Sequence, residues 1–125
     1  MTASVLVIED TPANMKLVTM LLEHAGYRVL QAADAMTGIA LAQAQQPRLV
    51  LMDIQLPGMD GLQATRLLKA DAATRQIRVV ALTAFAMKGD EERIRAAGCD
   101  GYIAKPIQYK QFLAEVAGWM TPEGN

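Results

Sequence analysis

The sequence of 125 residues contains a single cysteine, Cys99, so no disulfide can form within the chain. Its apolar runs are much shorter than the roughly 20 residues that a membrane-spanning helix needs. The first residues, "MTAS", lack the positively charged segment of a signal peptide. The formal net charge is −1, without the basic excess of nucleic-acid-binding proteins or membrane-surface helices. We therefore expect a cytoplasmic protein with a reduced, half-buried thiol, no nucleic-acid partner and no membrane insertion.

Linkers and repeats are also missing, since no Ser/Gly-rich tract or low-complexity segment interrupts the chain. A chain of this length suits one domain with one core. We expect residues 1–125 to form a single domain without an attached output domain. What the sequence does contain is an alternation of short apolar runs with longer segments of helical spacing.

Five apolar runs predict β-strands, at residues 4–8, 28–32, 48–52, 78–82 and 101–104. Because a helical segment follows each run, the pattern indicates β-α crossover units and a parallel sheet covered on both faces. Burial on both faces explains why the runs are continuously apolar. We predict an α/β fold with a five-stranded parallel sheet of order 2-1-3-4-5, doubly wound as a flavodoxin-like (βα)5 unit. Ligands of such sheets bind at the carboxyl ends of strands one and three.

The helices are predicted from their caps and from the spacing of apolar residues. The first begins after Thr11 with Pro12 and ends at Gly26. The second spans about 34–45, the third begins at about 60, the fourth spans 89–98 and the fifth spans about 109–120. The inward faces are expected to comprise Leu17, Val18, Leu21, Leu22 and Ala25; Met36, Ile39 and Ala40; Leu62, Leu67 and Leu68; and Phe112, Leu113, Val116, Ala117 and Met120.

Polar residues stand where four of the five strands end. They are Glu9 and Asp10, then Asp53, then Thr83, which Ala84 follows, and finally Lys105, which Pro106 follows. Three carboxylates that meet at one sheet edge repel each other, and a divalent cation such as Mg²⁺ relieves the repulsion. A metal ion, a lysine and a hydroxyl together can stabilise a phosphoryl group in transfer, and a carboxylate can serve as its acceptor. Asp53 is the best acceptor candidate because it lies between the acidic pair and the Thr83–Lys105 side.

Four motifs, "VLVIED", "VLMDIQLPGMDG", "ALTAFA" and "YIAKPI", resemble in order and spacing the receiver domain of bacterial two-component response regulators. The resemblance extends from about Ser4 to Met120. It implies that Asp53 is phosphorylated by a sensor histidine kinase or a phosphotransfer protein. The acidic pair is Glu-Asp rather than Asp-Asp, and the other motif residues are all present. The resemblance therefore implies a competent receiver domain.

The resemblance also implies a role for each motif residue. Mg²⁺, for which Mn²⁺ can substitute, would be bound by Asp10, Asp53 and the backbone carbonyl of Gln55, with Glu9 acting through water. Lys105, Thr83 and the backbone of Ala84 would contact the phosphoryl oxygens, Tyr102 would be an aromatic switch, and Pro106 would follow a cis peptide bond.

Phosphorylation would then draw Thr83 and Lys105 inward and let Tyr102 turn. The changed surface, formed by helix four, strand five and helix five, would regulate a downstream protein target, with cell-cycle or developmental signalling as the expected setting. Candidate contacts on this surface are Phe85, Met87, Tyr102, Ile107 and Phe112. The protein would not be an enzyme, although it takes part in its own phosphorylation and dephosphorylation.

Three other functions are compatible with parts of this pattern. A phosphorelay intermediate would only pass the phosphoryl group to another histidine protein. An aspartate-nucleophile phosphatase would need an acid two residues after Asp53, where the chain has Gln55. A flavin-binding protein would need a hydroxyl- and Gly-rich loop after strand one, where the chain has the acidic "EDTPAN". A bulky Phe85 could slow hydrolysis of the aspartyl phosphate by hindering the attacking water.

Overall fold

The structure, a computed structural model, describes residues 3–84 and 88–121. The strands are β1 (Ser4–Ile8), β2 (Arg28–Ala32), β3 (Leu49–Asp53), β4 (Arg78–Thr83) and β5 (Gly101–Ala104). The helices are α1 (Pro12–His24), α2 (Ala35–Gln45), α3 (Gly61–Ala70), α4 (Lys88–Ala96) and α5 (Tyr109–Met120). Strands and helices alternate along the chain, as the sequence pattern predicts.

The five strands form one parallel sheet of order β2-β1-β3-β4-β5, which confirms the predicted topology. In its register Val5 pairs with both Val29 and Leu49, so β1 lies between β2 and β3. The order of the strands therefore reverses between β1 and β3, the position at which parallel sheets of this type bind ligands.

Two strands end one residue later than predicted, and both extra residues are polar. Asp53 is the last residue of β3 and pairs with Leu82, while Thr83 is the last residue of β4 and pairs with Ala104. Leu82 also accepts a hydrogen bond from the backbone N–H of Ile54 at 3.3 Å. Ladder bonds therefore fix the backbone of Asp53 and Thr83 within the sheet.

Successive strand residues point to opposite faces of the sheet, and each face has its own apolar core. On one face Leu6, Val50 and Val79 pack with buried residues of α2, α3 and α4. On the other face the alternate residues Val5 and Leu49 pack with those of α1 and α5. All five residues of β3 are buried.

The predicted inward helix faces are right for Val18, Leu22, Leu62, Leu68, Phe112, Val116 and Met120, which are all buried. They are wrong for Leu17, Ala25, Met36, Ala40, Leu67 and Ala117, which are exposed. In α2 the buried residues are instead the small Ala35, Gly38 and Ala42. A Cβ at Gly38 would overlap the side chain of Ile8, so α2 lies too close to the sheet for large inward residues. Met36, 64% exposed, therefore points outward.

Two arginines at the amino ends of the strands hold the C-terminal end of α5. Arg48 Nη1 donates to the carbonyl oxygen of Met120 at 3.2 Å. Arg78 Nη1 donates to the carbonyl oxygens of Trp119 at 2.7 Å and Thr121 at 2.8 Å. The last carbonyls of a helix have no partner within the helix and carry partial negative charge, so these guanidinium groups stabilise the end of α5.

Two smaller expectations concern the thiol and the membrane. The sequence predicted a half-buried thiol, whereas Cys99 is buried, 6% exposed, and its Sγ donates to Thr65 Oγ1 at 3.7 Å. Within residues 3–84 and 88–121, no helix combines the length and the apolar character needed to cross a bilayer.

Gly61 begins α3 directly against the end of β3. A Cβ there would lie 2.8 Å from the Ile54 Cα and even closer to the backbone oxygen of Asp53. Because backbone atoms cannot rotate away, Gly61→Ala should lower the free energy of unfolding by about 2 kcal/mol in urea titrations followed by circular dichroism. Gly118→Ala in α5 meets no atom within 4 Å and should instead stabilise the protein by about 0.5 kcal/mol. Equal stabilities of the two variants would contradict the close approach of α3 to β3.

Candidate functional site

Three carboxylates meet at the carboxyl end of the sheet. Ligand oxygens of Glu9, Asp10 and Asp53 all lie within 4.8 Å of one another. Glu9 is 1% and Asp53 5% exposed, whereas Asp10 faces solvent. The fold brings them together because β1 and β3 are adjacent and parallel, so that residues at their carboxyl ends share one edge.

Lys105 is the cation of this cluster. Its Nζ lies 3.1 Å from Glu9 Oε1 and 3.5 Å from Asp53 Oδ1. The backbone N–H of Lys105 donates to the carbonyl oxygen of Thr83 at 2.8 Å, which ties the end of β5 to the end of β4. The peptide bond between Lys105 and Pro106 is cis. The lysine, predicted on the far side of Asp53, thus contacts both buried acids.

Backbone N–H groups hold the two buried carboxylates in place. Asp53 Oδ1 accepts from the N–H of Gln55 at 3.1 Å, and Glu9 Oε2 accepts from the N–H of Thr11 at 3.1 Å. Thr11 occupies the N-cap position of α1, but its side chain makes no capping hydrogen bond. The first turn of α1 is therefore joined to the acidic cluster through the backbone of Thr11.

The two buried acids, Glu9 and Asp53, have pKa values that are shifted in opposite directions. Burial and the adjacent Glu9 carboxylate raise the pKa of Asp53 to about 6, against the opposing effects of the Gln55 N–H and Lys105. Burial also acts to raise the pKa of Glu9, but hydrogen bonds with Asp53, Thr11 and Lys105 outweigh it and leave that pKa below its usual value. Of the two carboxyls, Asp53 therefore takes up a proton first.

The donor set suits a hard divalent cation. Three carboxylates face one ammonium group, so negative charge exceeds positive charge when all are ionised. Mg²⁺ prefers oxygen ligands, is held by one or two carboxylates and keeps several waters. The exposed position of Asp10 leaves room for those waters on the solvent side.

Thr83 and Tyr102 occupy different surroundings. Thr83 is 3% exposed at the end of β4, and the exposed Ala84 follows it. Tyr102, on β5, is half-buried. A hydrogen bond to the Glu91 carboxylate of α4 raises the pKa of the Tyr102 hydroxyl. The hydroxyl of Tyr102 is therefore held toward Glu91 of α4 and not toward the cluster of Glu9, Asp10 and Asp53.

A groove of about 540 Å³ runs between α4, β5 and α5. Tyr102, Glu91, Arg95 and Pro106 line it, and Phe112 contributes although it is only 1% exposed. Ile107 is half-buried and instead lines a smaller cavity of about 150 Å³ beside α1. The other two candidate contacts, Phe85 and Met87, lie outside the described residues, as does the suggested effect of Phe85 on hydrolysis.

Sequence reasoning missed two features that position the site. Gly61 donates its N–H to the carbonyl oxygen of Ile54 at 2.9 Å and lets α3 approach the backbone of Asp53. The signal was the glycine directly after Asp60, whose side chain caps α3 by accepting from Gln63 N–H. The second feature is the contact between Lys105 and Glu9, for which the spacing of the residues gives no signal.

Comparison with known proteins agrees with this geometry. A model of the response regulator receiver domain family matches residues 5–117. The polar-differentiation response regulators DivK of Brucella ovis and Brucella abortus are 47% identical over 120 residues, which are 96% of this chain and 98% of each relative.

Solved structures show the same fold. The receiver domain of sensor histidine kinase PA1611 from Pseudomonas aeruginosa, crystallised with a magnesium ion in its active site cleft, is 34% identical with a TM-score of 0.88, covering 96% of this chain and 98% of that one. The chemotaxis protein CheY4 of Vibrio cholerae has a TM-score of 0.90 at 24% identity, covering 94% and 98% of the two chains, and shares the fold.

The raised pKa of Asp53 makes the stability of the protein depend on pH. Because the folded pKa of about 6 exceeds the unfolded value, ionised Asp53 costs stability above pH 6, and this cost disappears as the pH falls toward 4. In EDTA, Asp53→Asn should therefore raise the free energy of unfolding by about 2 kcal/mol at pH 8 and by much less at pH 4.5. Urea titrations at both pH values measure this difference. A stabilisation that is the same at both values would contradict the raised pKa.

Proposed function

Since the chain belongs to the response regulator receiver domain family, we propose that it accepts a phosphoryl group on Asp53 with the help of Mg²⁺. The donor is a phosphohistidine of a sensor histidine kinase or of a phosphotransfer protein. The observation that supports this most directly is the placement of Asp53 at the end of β3, 3.5 Å from Lys105 Nζ and beside Glu9 and Asp10. Such a site has an acceptor carboxylate, ligands for a cation and a separate positive group.

In the transfer step a carboxylate oxygen of Asp53 attacks the phosphorus of the donor phosphohistidine. The new P–O bond gives an aspartyl phosphate, while the P–N bond breaks and the electron pair returns to the imidazole. The reaction requires ionised Asp53, and near neutral pH the carboxyl is mostly ionised because its pKa is about 6. The N–H of Gln55 holds Asp53 Oδ1 at 3.1 Å and so orients the carboxylate.

For the cation we assign Asp10, Asp53 and the backbone carbonyl of Gln55 as ligands, with Glu9 acting through water. Bound Mg²⁺, or Mn²⁺ with its similar preference for oxygen, supplies positive charge to the phosphoryl oxygens. The magnesium ion in the receiver domain of PA1611 supports this assignment, since that domain is 34% identical to this chain. Here the acidic cluster of Glu9, Asp10 and Asp53 offers matching oxygen donors.

The remaining phosphoryl oxygens face the β4 and β5 ends of the sheet. Lys105, the hydroxyl of Thr83 and the backbone N–H of Ala84 are proposed to bind them. Thr83 already lies at the edge of the site because its carbonyl oxygen accepts from Lys105 N–H at 2.8 Å. Movement of Thr83 toward the phosphoryl group would open space for Tyr102 to turn inward.

Output is proposed to occur by protein binding at the face formed by α4, β5 and α5. Tyr102 and Glu91 line the groove in this face, so turning Tyr102 inward would change its shape. The DivK relatives, which are named as polar-differentiation response regulators, are matched over 98% of their own length by this chain. A binding equilibrium with a downstream target would then report the phosphorylation state.

Phosphorylation by acetyl phosphate tests the acceptor. With Mg²⁺ present, intact-mass spectrometry should show a phosphorylated wild-type protein and a signal near background for Asp53→Asn. Asp71→Asn is the matched control, because Asp71 is a half-buried acid at the end of α3, outside the cluster of Glu9, Asp10 and Asp53, and this variant should label like the wild type. Removal of Mg²⁺ by EDTA should abolish labelling of both. Labelling of Asp53→Asn at the wild-type level would refute the assignment.

The switch predicts a change in the environment of Tyr102. In the wild type, a beryllofluoride complex should shift the ring signals of Tyr102 in NMR spectra because its hydroxyl leaves Glu91. Thr83→Ala should still bind beryllofluoride but should lose this shift, since no hydroxyl is drawn to the phosphoryl position. Tyr27, which packs against the core near α1, serves as the internal control and should not respond. A wild-type shift that persists in Thr83→Ala would contradict the coupling.

A further inference from the structure

Glu9 forms its closest charge contact with Lys105, not with a partner of its own strand. The side chain of Glu9 is 0% exposed and that of Lys105 is 20% exposed, and their charged atoms lie 3.1 Å apart. The contact from Lys105 to Asp53 is longer, at 3.5 Å. Lys105 is therefore held mainly by Glu9.

This ion pair uses the same charges that a divalent cation would use. Mg²⁺ beside Asp10 and Asp53 would lie near Lys105 Nζ, and two cations at one buried site repel each other. Buried charges are screened little by salt, so the repulsion is strong. Binding of the cation therefore favours withdrawal of Lys105 from Glu9, and the Lys105–Glu9 contact opposes binding of the cation.

We propose that the Glu9–Lys105 ion pair competes with the divalent cation, and that the length of the Glu9 side chain sets the strength of this competition. The inference rests on the proposed Mg²⁺ site. An aspartate at this position would be shorter by one C–C bond, about 1.5 Å. Its carboxylate would lie farther from Lys105 and the ion pair would be weaker, because the backbone is fixed at the end of β1, where the N–H of Glu9 donates to the carbonyl oxygen of Ala32 at 3.0 Å.

The competition implies that Lys105 has two successive roles, one before and one after the cation binds. Before the cation binds, the lysine neutralises the buried Glu9 and limits the repulsion between Glu9 and Asp53. After the cation binds, its charge replaces that of the lysine, and Lys105 is free to turn toward a phosphoryl group on Asp53. Glu9 is thus a positioning residue for Lys105 as well as a neighbour of the metal.

A double-mutant cycle measured by calorimetric Mg²⁺ titration tests this coupling. Glu9→Asp keeps the charge and should tighten Mg²⁺ binding about fivefold, a coupling of ordinary size for residues in contact. In a Lys105→Gln background no ion pair remains to be broken, so the gain from Glu9→Asp should fall well below fivefold, to the part that comes from the changed distance between this carboxylate and the cation. Glu23→Asp, at an exposed site late in α1, is the matched control and should leave the affinity unchanged in both backgrounds.

Two results would overturn the proposal: weaker Mg²⁺ binding by Glu9→Asp, or an equal gain in both Lys105 backgrounds. Thermal unfolding in EDTA checks that each variant is folded. If Lys105→Gln is unfolded, ¹⁵N NMR of the wild-type Lys105 ammonium replaces it. The signal should shift during the Mg²⁺ titration, and an unchanged signal refutes the competition. Failure of the wild type to bind Mg²⁺ at all would overturn the proposed function instead, together with this inference.

Discussion

Two carboxylates, Glu9 and Asp53, are buried side by side at the ends of neighbouring parallel strands, and their mutual repulsion is the constraint around which the site is built. Neither can move away, because ladder hydrogen bonds fix both backbones to the sheet. The chain offsets the repulsion with one ammonium group and two backbone N–H donors. Burial and the remaining imbalance of charge raise the pKa of Asp53, and the imbalance makes the site receptive to a cation. The fold therefore holds two like charges close together, at a cost in free energy.

Packing of the apolar cores on the two faces of the sheet stabilises the fold against the repulsion between Glu9 and Asp53. Apolar side chains of β1 and β3 are fully buried, and the cooperative packing of the whole sheet holds the strand ends in place. Gly61 adds a local constraint, because α3 begins in van der Waals contact with the backbone of Asp53 and Ile54. In the part of the chain that the structure describes, every buried side-chain nitrogen and oxygen atom has a hydrogen-bond partner. The site is therefore strained by charge but not by unmet hydrogen bonds.

The fold was predictable from the sequence because five apolar runs of strand length alternate with helical segments, and few topologies accommodate that pattern. The inward face of α2 could not be predicted in the same way. The hydrophobicity of Met36 suggested that it points inward, but α2 lies so close to Ile8 that only a small residue such as Gly38 fits there. At the site, the convergence of Glu9, Asp10 and Asp53 followed from strand order alone. The contacts of Lys105 with Glu9 and of Tyr102 with Glu91 could not be predicted in this way, because each contact depends on side-chain rotamers that no spacing rule determines.

The attachment of α5 has a mechanical consequence. Arg48 and Arg78 bind the last carbonyls of the helix at the amino edge of the sheet, and Gly101 allows the Trp119 ring to pack directly on the beginning of β5. The opposite end of α5 follows Lys105 and Pro106 at the carboxyl edge of the sheet. The helix is therefore anchored at its carboxyl end, so a displacement of its amino end would change the shape of the groove that Phe112 of this helix lines.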